Sequence, residues 1–205
     1  MHQALALLEF TGAAAGIAAV DRMLKMSPVA LLRCGTVHPG RYLALVGGTV
    51  ASVAEAHATG VEAGLDLGGL HDEVLLPDPH PQLAAAVAGA RRKPAGEALA
   101  VVEIQSSPGM LTALDAALKA VPVDLVEVRL ADDLGGRALA LLDGALTDVQ
   151  EAVDTARERG GELAGWIGGV VLPRLDDNLR QVLAEGTGFA ACRAWEPAGA
   201  ETVKE

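Results

Sequence analysis

The sequence predicts an α+β fold of two tandem ferredoxin-like domains, on three observations. The first is an internal repeat. Glu9 matches Glu103, Asp21 matches Asp115, Leu24-Lys25 matches Leu118-Lys119 and Pro28-Val29 matches Pro122-Val123, all at a spacing of 94. After a loop the spacing becomes 96: Gly40-Arg41 pairs with Gly136-Arg137, Gly48 with Gly144, Val53 with Val149, Glu55-Ala56 with Glu151-Ala152 and Leu76-Pro77 with Leu172-Pro173. The second copy therefore carries two extra residues in the loop that ends at Gly136. The second observation is the order of apolar patterns within each copy: strand, helix, strand, strand, helix, strand. The third is composition. With 205 residues, 51% hydrophobic but only 2% aromatic, the core must be built from Ala, Val, Leu and Gly, in one large domain or two small ones, and the repeat selects two.

Each element follows from local chemistry. Ala4 to Phe10 is a short apolar run ended by Thr11-Gly12 and reads as a strand. Gly16 to Met26 sets Ile17, Val20 and Leu24 on one helical stripe, and Pro28 stops that helix. Val29 to Cys34 and Arg41 to Val46 are two strands around the sharp connection His38-Pro39-Gly40. Val50 to Leu65 returns to helical spacing through Val50, Val53, Ala54 and Val61, and Val74 to Leu76 is the last strand. Split β-α-β units of this kind place both helices on one face of a four-stranded sheet. Between the copies, Ala90-Arg91-Arg92-Lys93-Pro94-Ala95-Gly96 is a basic segment that breaks regular structure. The domains are thus residues 1–90 and 97–185, joined by a linker at 91–96 and followed by a C-terminal tail at 186–205.

Charge and cysteine content narrow the function. Sixteen basic against 27 acidic side chains give a net charge of −11, which repels nucleic-acid phosphates and anionic membrane surfaces. The longest uncharged stretch, Tyr42 to Ala54, has 13 residues, short of the roughly 20 that a spanning helix needs. The amino-terminal residues lack the basic opening of a secretory signal, and two cysteines make no disulfide framework, so a cytoplasmic location is expected. Small side chains and domains of about 90 residues favour burial against copies of the same chain.

The order and doubling of these segments resemble the bacterial microcompartment shell proteins, specifically the unpermuted tandem-domain members whose trimers imitate a hexamer. The resemblance rests on Ala6-Leu7-Leu8-Glu9, Asp21 to Lys25, Thr36 to Arg41, Val46-Gly47-Gly48 and Leu76-Pro77-Asp78-Pro79-His80. In the second copy it rests on Val101 to Ile104, Asp115 to Lys119, Leu134 to Arg137, Leu142-Asp143-Gly144 and Leu172-Pro173-Arg174. It implies a homotrimeric tile that assembles with hexameric and pentameric shell proteins around encapsulated enzymes, with a central pore for small metabolites. It places Val37, His38, Pro39 and Gly40 of the first copy, and Ala131 to Gly136 with Asp132, Asp133, Leu134 and Gly135 of the second, at that pore. It places Lys25 and Lys119 at the tiling edge, beside Asp78 and Arg174. There the sequence departs from the Pro-Arg-Pro-His pattern of hexameric relatives, since Asp78 replaces the first copy's arginine and only Arg174 remains. Asp132-Asp133 likewise stands where relatives carry small or apolar residues.

Chemistry-bearing residues outside this pattern form no catalytic constellation. Ser106-Ser107 lacks a positioned histidine and Gly47-Gly48 is no phosphate loop. Cys34, in an apolar strand beside Leu31 and Leu32, reads as a buried structural thiol, and Cys192 as an incidental thiol in the tail. Some tandem relatives carry a cysteine at the position of His38 and hold an iron-sulfur cluster there. Three His38 rings around a trimer axis would instead suit Zn or Cu, so a redox or metal site at the pore is one alternative, and no cofactor at all is the simpler expectation. His80, after two prolines, starts a final short helix. A second alternative, from another class, is a small-molecule-binding regulatory protein with its ligand in the interdomain cleft. No reading from sequence supports an enzyme.

Overall fold

A computed structural model describes residues 2–193 and Trp195, and for 161–164 the backbone alone. The first copy runs β1 (Ala4–Phe10), α1 (Ala13–Met26), β2 (Ala30–Val37), β3 (Arg41–Gly48), α2 (Val50–Asp66), β4 (Leu70–Leu76) and α3 (Pro81–Val87). The second repeats it as β5 (Ala98–Ile104), α4 (Ser107–Ala120), β6 (Asp124–Leu130), β7 (Ala138–Gly144), α5 (Leu146–Ala164), β8 (Trp166–Leu172) and α6 (Asp177–Glu185). Among the described residues the strands form two antiparallel four-stranded sheets, ordered β2-β3-β1-β4 and β6-β7-β5-β8, which is the expected ferredoxin-like arrangement. The register repeats in detail, with a bulge after Leu31 in β2 and after Leu125 in β6, positions 94 apart.

Side-chain size sets how the helices sit. In the first copy Ala4, Ala6, Leu8 and Phe10 of β1 face Ala19, Val20 and Met23 of α1 and Val53, Ala56 and Ala63 of α2. A Cβ on Gly60 would lie 2.7 Å from the Met23 sulfur and 2.8 Å from a Leu8 methyl, so glycine lets α1 and α2 close onto the sheet. The Ala- and Gly-rich composition thus serves close helix packing where aromatic bulk is absent.

The opposite face of the first sheet is covered by the second domain. Leu5, Leu7, Leu43, Leu45, Val74 and Leu76 join one continuous core with Met110, Leu111, Leu114 and Leu118 of α4 and with Leu83 and Val87 of α3. The two copies are therefore packed together rather than strung on a flexible linker. Asp143, nearly fully buried, accepts the amides of Ala95 and Gly96 and pins the connecting segment to β7. Arg91 donates to the Ala184 carbonyl (2.7 Å) and the Leu183 carbonyl at the end of α6 and pairs with Glu127 (3.1 Å).

Two expectations are corrected. Cys34 is exposed, because β2 is the open edge of its sheet and lacks the cover that α3 gives to β6; the neighbouring Cys34 side chain pushes the Tyr42 hydroxyl up to about 12, with burial as a further cause. Strand β2 also runs on to Val37, three residues past the predicted end, since its ladder with β3 continues to the Val37–Arg41 pair.

Candidate functional site

The junction between the domains is organised by Glu9, a carboxylate fully buried in the apolar strand β1. One oxygen accepts from Arg41 on β3 at 2.6 Å and the other accepts the Ser107 amide, in the first turn of α4, at 2.9 Å. The first copy thus adds a negative group at the amino end of the second copy's helix, where the macrodipole favours it. Ser106 caps the same helix by accepting from the Gly109 amide, and its hydroxyl also bonds Asp72 of β4. Arg41 continues across the junction, donating to the carbonyls of Gln105 (3.3 Å) and Gly136 (3.2 Å).

This last contact brings the two predicted pore loops together. Gly136 lies against Pro39 and the Arg41 guanidinium, where a Cβ would approach to 3.1 and 3.2 Å. His38, Pro39, Gly40, Asp132, Asp133 and Gly135 are exposed, and Val37 and Leu134 are half-buried. The longer second loop is tightly folded. Ala131, Asp133, Gly135 and Gly136 all have positive φ, at 60°, 58°, 62° and 86°. Two of these are not glycine, a conformation that costs free energy and that surrounding bonds must hold. The bonds are those of the Ala131 amide to the Arg137 carbonyl, the Leu134 amide to the Ala131 carbonyl, and Arg129 to the Asp132 carbonyl. The loop therefore holds Asp132 and Asp133 outward on a fixed frame. Between the domains, a groove of about 370 Å³ runs from Leu7 and Arg33 to Val128 and Asp132, the cleft that a regulatory ligand would require.

At the predicted tiling edge all four residues are exposed. Lys25 pairs with Asp21 at 2.6 Å, and Lys119 pairs with Asp115 at 2.7 Å. Lys119 also donates to the Asp78 carbonyl, and Asp115 accepts the His80 amide at 2.7 Å. Asp78 thus neighbours the second copy's lysine rather than Lys25. His80 stands at the start of α3, as the sequence suggested, and its ring caps the helix by accepting the Gln82 amide. Among the described residues of one chain, no three His, Cys, Asp or Glu side chains cluster as a metal site. Sequence reasoning did not find the role of Glu9 and Arg41 across the junction, although a lone carboxylate inside an apolar strand, repeated in both copies, was its visible signal.

Residues 4–79 and 98–175 each match the model of the BMC domain. The chain belongs to the BMC-domain family. Its two BMC domains in tandem are 36% identical, over 91% of this chain and the full length of the relative, to the bacterial microcompartment shell protein PduT of Citrobacter freundii. They are 26% identical to the carboxysome assembly protein CcmO of a Synechocystis species, over 90% of this chain and 65% of that one. A solved microcompartments protein from Desulfitobacterium hafniense DCB superposes with a TM-score of 0.76 at 32% identity, covering 87% of this chain and 98% of the other. The BMC domains make this chain a structural protein of a bacterial microcompartment shell. Among the described residues no helix is long and apolar enough to cross a membrane.

Proposed function

We propose that three copies of the chain close a ring of six BMC domains, a shell tile that assembles with hexameric and pentameric shell proteins around encapsulated enzymes and passes small metabolites through the opening between its loops. One observation carries the reading. Inside the chain, Leu111 of α4 is 0% exposed and Val74 of β4 is 8% exposed, because each lies in the contact of α4 with the first sheet. Their counterparts in the other copy, Ile17 of α1 and Val170 of β8, are 57% and 51% exposed. Each chain therefore presents both halves of a second contact of the same kind, a helix at one end and a sheet at the other. Such a head-to-tail contact generates a closed ring when the rotation closes.

Polar groups repeat the asymmetry. The first turn of α1 has no side-chain cap, whereas the equivalent turn of α4 receives Glu9. Glu103, the repeat partner of Glu9, is half-buried on β5 and stands ready to supply that group to α1 of the next copy. Lys25 and Asp21, paired among the described residues only with each other, take the places that Lys119 and Asp115 hold against the Asp78–His80 segment. Three His38 rings would meet only in such a ring, so an axial metal depends on the same assembly.

Sedimentation equilibrium tests the proposal. The chain is expected as a trimer at micromolar concentration, and Ile17→Glu is expected to give a folded monomer. A wild-type monomer or dimer under the same conditions would overturn the ring.

A further inference from the structure

Within the chain, the amide side chain of Gln82 bonds α3 to the second domain. Gln82 donates to the Val123 carbonyl at 3.3 Å and accepts the Leu125 amide at 2.8 Å, so its carboxamide extends the backbone ladder of β6. Beside it, Leu83 is 0% exposed and Leu125 3%. The repeat partner of Gln82 at a spacing of 96 is Asn178, again at the second position of its helix, after the cap Asp176 as Gln82 follows the cap His80. The repeat partners of Val123 and Leu125 at a spacing of 94 are Val29 and Leu31, at the start of β2. These groups do not meet within the chain: Leu31 is 38% exposed, and Leu179, the counterpart of Leu83, is 43% exposed. Asn178 is engaged instead by the C-terminal tail. Its Oδ1, the atom equivalent to the acceptor of the Leu125 amide, accepts the indole N–H of Trp195 at 3.3 Å.

We propose that Asn178 is the clamp for β2 of the next copy, taking the Val29 carbonyl and Leu31 amide, and that Trp195 occupies this clamp in the unassembled chain, so that the tail must release Asn178 before the ring closes. The inference rests on the trimeric reading above and assigns to it a specific contact and a competitor. The indole places an aromatic ring and a donor on the strip that the incoming strand needs, and a single hydrogen bond with a half-exposed ring is weak enough to be displaced. Tail and strand offer the same chemistry to Asn178, an N–H donor backed by apolar surface. The arm of Asn178 is one methylene shorter than that of Gln82, which makes its hold on the strand the weaker of the two.

The experiment is sedimentation velocity of the full chain over a dilution series, with hydrogen exchange at the Leu31 amide. Trp195→Ala is expected to lower the concentration of half-assembly by roughly five- to thirtyfold, since each of the three chains gives up one weak hydrogen bond worth about a factor of three to ten. Asn178→Ala is expected to raise that concentration and to leave the Leu31 amide unprotected in whatever trimer forms, while Asn178→Gln strengthens assembly. In the Asn178→Ala background, Trp195→Ala should lose its effect, because tail and strand compete for that one side chain. A wild-type trimer indifferent to Trp195→Ala, or a Leu31 amide still protected in Asn178→Ala, would overturn the clamp and leave the trimer standing. Monomers throughout, for wild type and every variant, would overturn both. Circular dichroism of each variant identifies any loss of fold, and the opposite signs expected for the two Asn178 variants are an outcome that misfolding does not produce.

Discussion

A glutamate inside an apolar strand is costly unless its oxygens are hydrogen-bonded, and Glu9 uses both, on Arg41 and on the Ser107 amide. Its worth lies in specificity, since it fixes which helix end meets which strand, and the same pair buried against apolar substitutes could be neutral in stability. Removing only one partner is a different matter. Glu9→Ala leaves the mostly buried Arg41 guanidinium and the Ser107 amide without their acceptor, and is expected to destabilise the chain by about 3–5 kcal/mol, read as a lowered urea midpoint. Glu103→Ala, at a half-buried site, should change the midpoint of the free chain far less and weaken assembly instead. At the other end of the chain, the Leu179 amide and then the Asn178 amide hold the Asp176 carboxyl below its ordinary range, so the cap of α6 is at full strength at neutral pH and weakens only as pH falls through that lowered value.

Elements are placed by what their small residues permit. Helices α4 and α5 approach at Gly160, where a Cβ would lie 2.6 Å from the Ala113 Cβ and 3.1 Å from the Gly109 carbonyl oxygen. Neither neighbour has a rotamer that moves it aside. Gly160→Ala gains about 1 kcal/mol of helix propensity but must push the helices apart, and overpacking of this kind costs typically about 1–3 kcal/mol. The substitution is expected to lower the melting temperature, while Gly168→Ala on β8, with nothing within 4 Å of its Cβ, should leave it nearly unchanged. Calorimetry of the two variants separates helix packing from a general dislike of added methyl groups. The pairing of exposed with buried elements follows the same logic: β2 and α6 are open in the chain because their repeat partners β6 and α3 have already found each other.

For the whole molecule, charge and loop shape meet at the proposed opening. Three chains would bring six outward carboxylates from Asp132 and Asp133 near one axis, alternating with three His38 rings. A ring of one sign concentrates cations and opposes anions. In reconstituted shells, Asp132→Asn with Asp133→Asn is expected to speed passage of a small anion while leaving a neutral solute of similar size nearly unchanged. Equal effects on both solutes would mean that the loop acts by shape, and no effect would place these aspartates away from the passage. Arg129 holds the loop through a backbone carbonyl, so the asparagine variants keep the loop frame while losing the charge.

What the sequence determined by itself is what repeats: two copies, the order of their strands and helices, and the family to which the doubled segments belong. Periodicity and turn chemistry are local, and a repeat multiplies the signal. The tertiary structure decided whatever depends on which copy of an element finds a partner first. Ile17 and Leu111 are equivalent in sequence, as are Cys34 and Val128 or Gln82 and Asn178, yet one of each pair is covered or bonded across the junction and the other is not. A chain of two domains has one internal junction, so each interface surface is satisfied once and left over once, and no local pattern tells which copy will be which. The role of Glu9 was hidden for the same reason: Arg41, 32 residues away, reaches it across the first sheet, but the Ser107 amide, 98 residues away, reaches it only when the second domain docks.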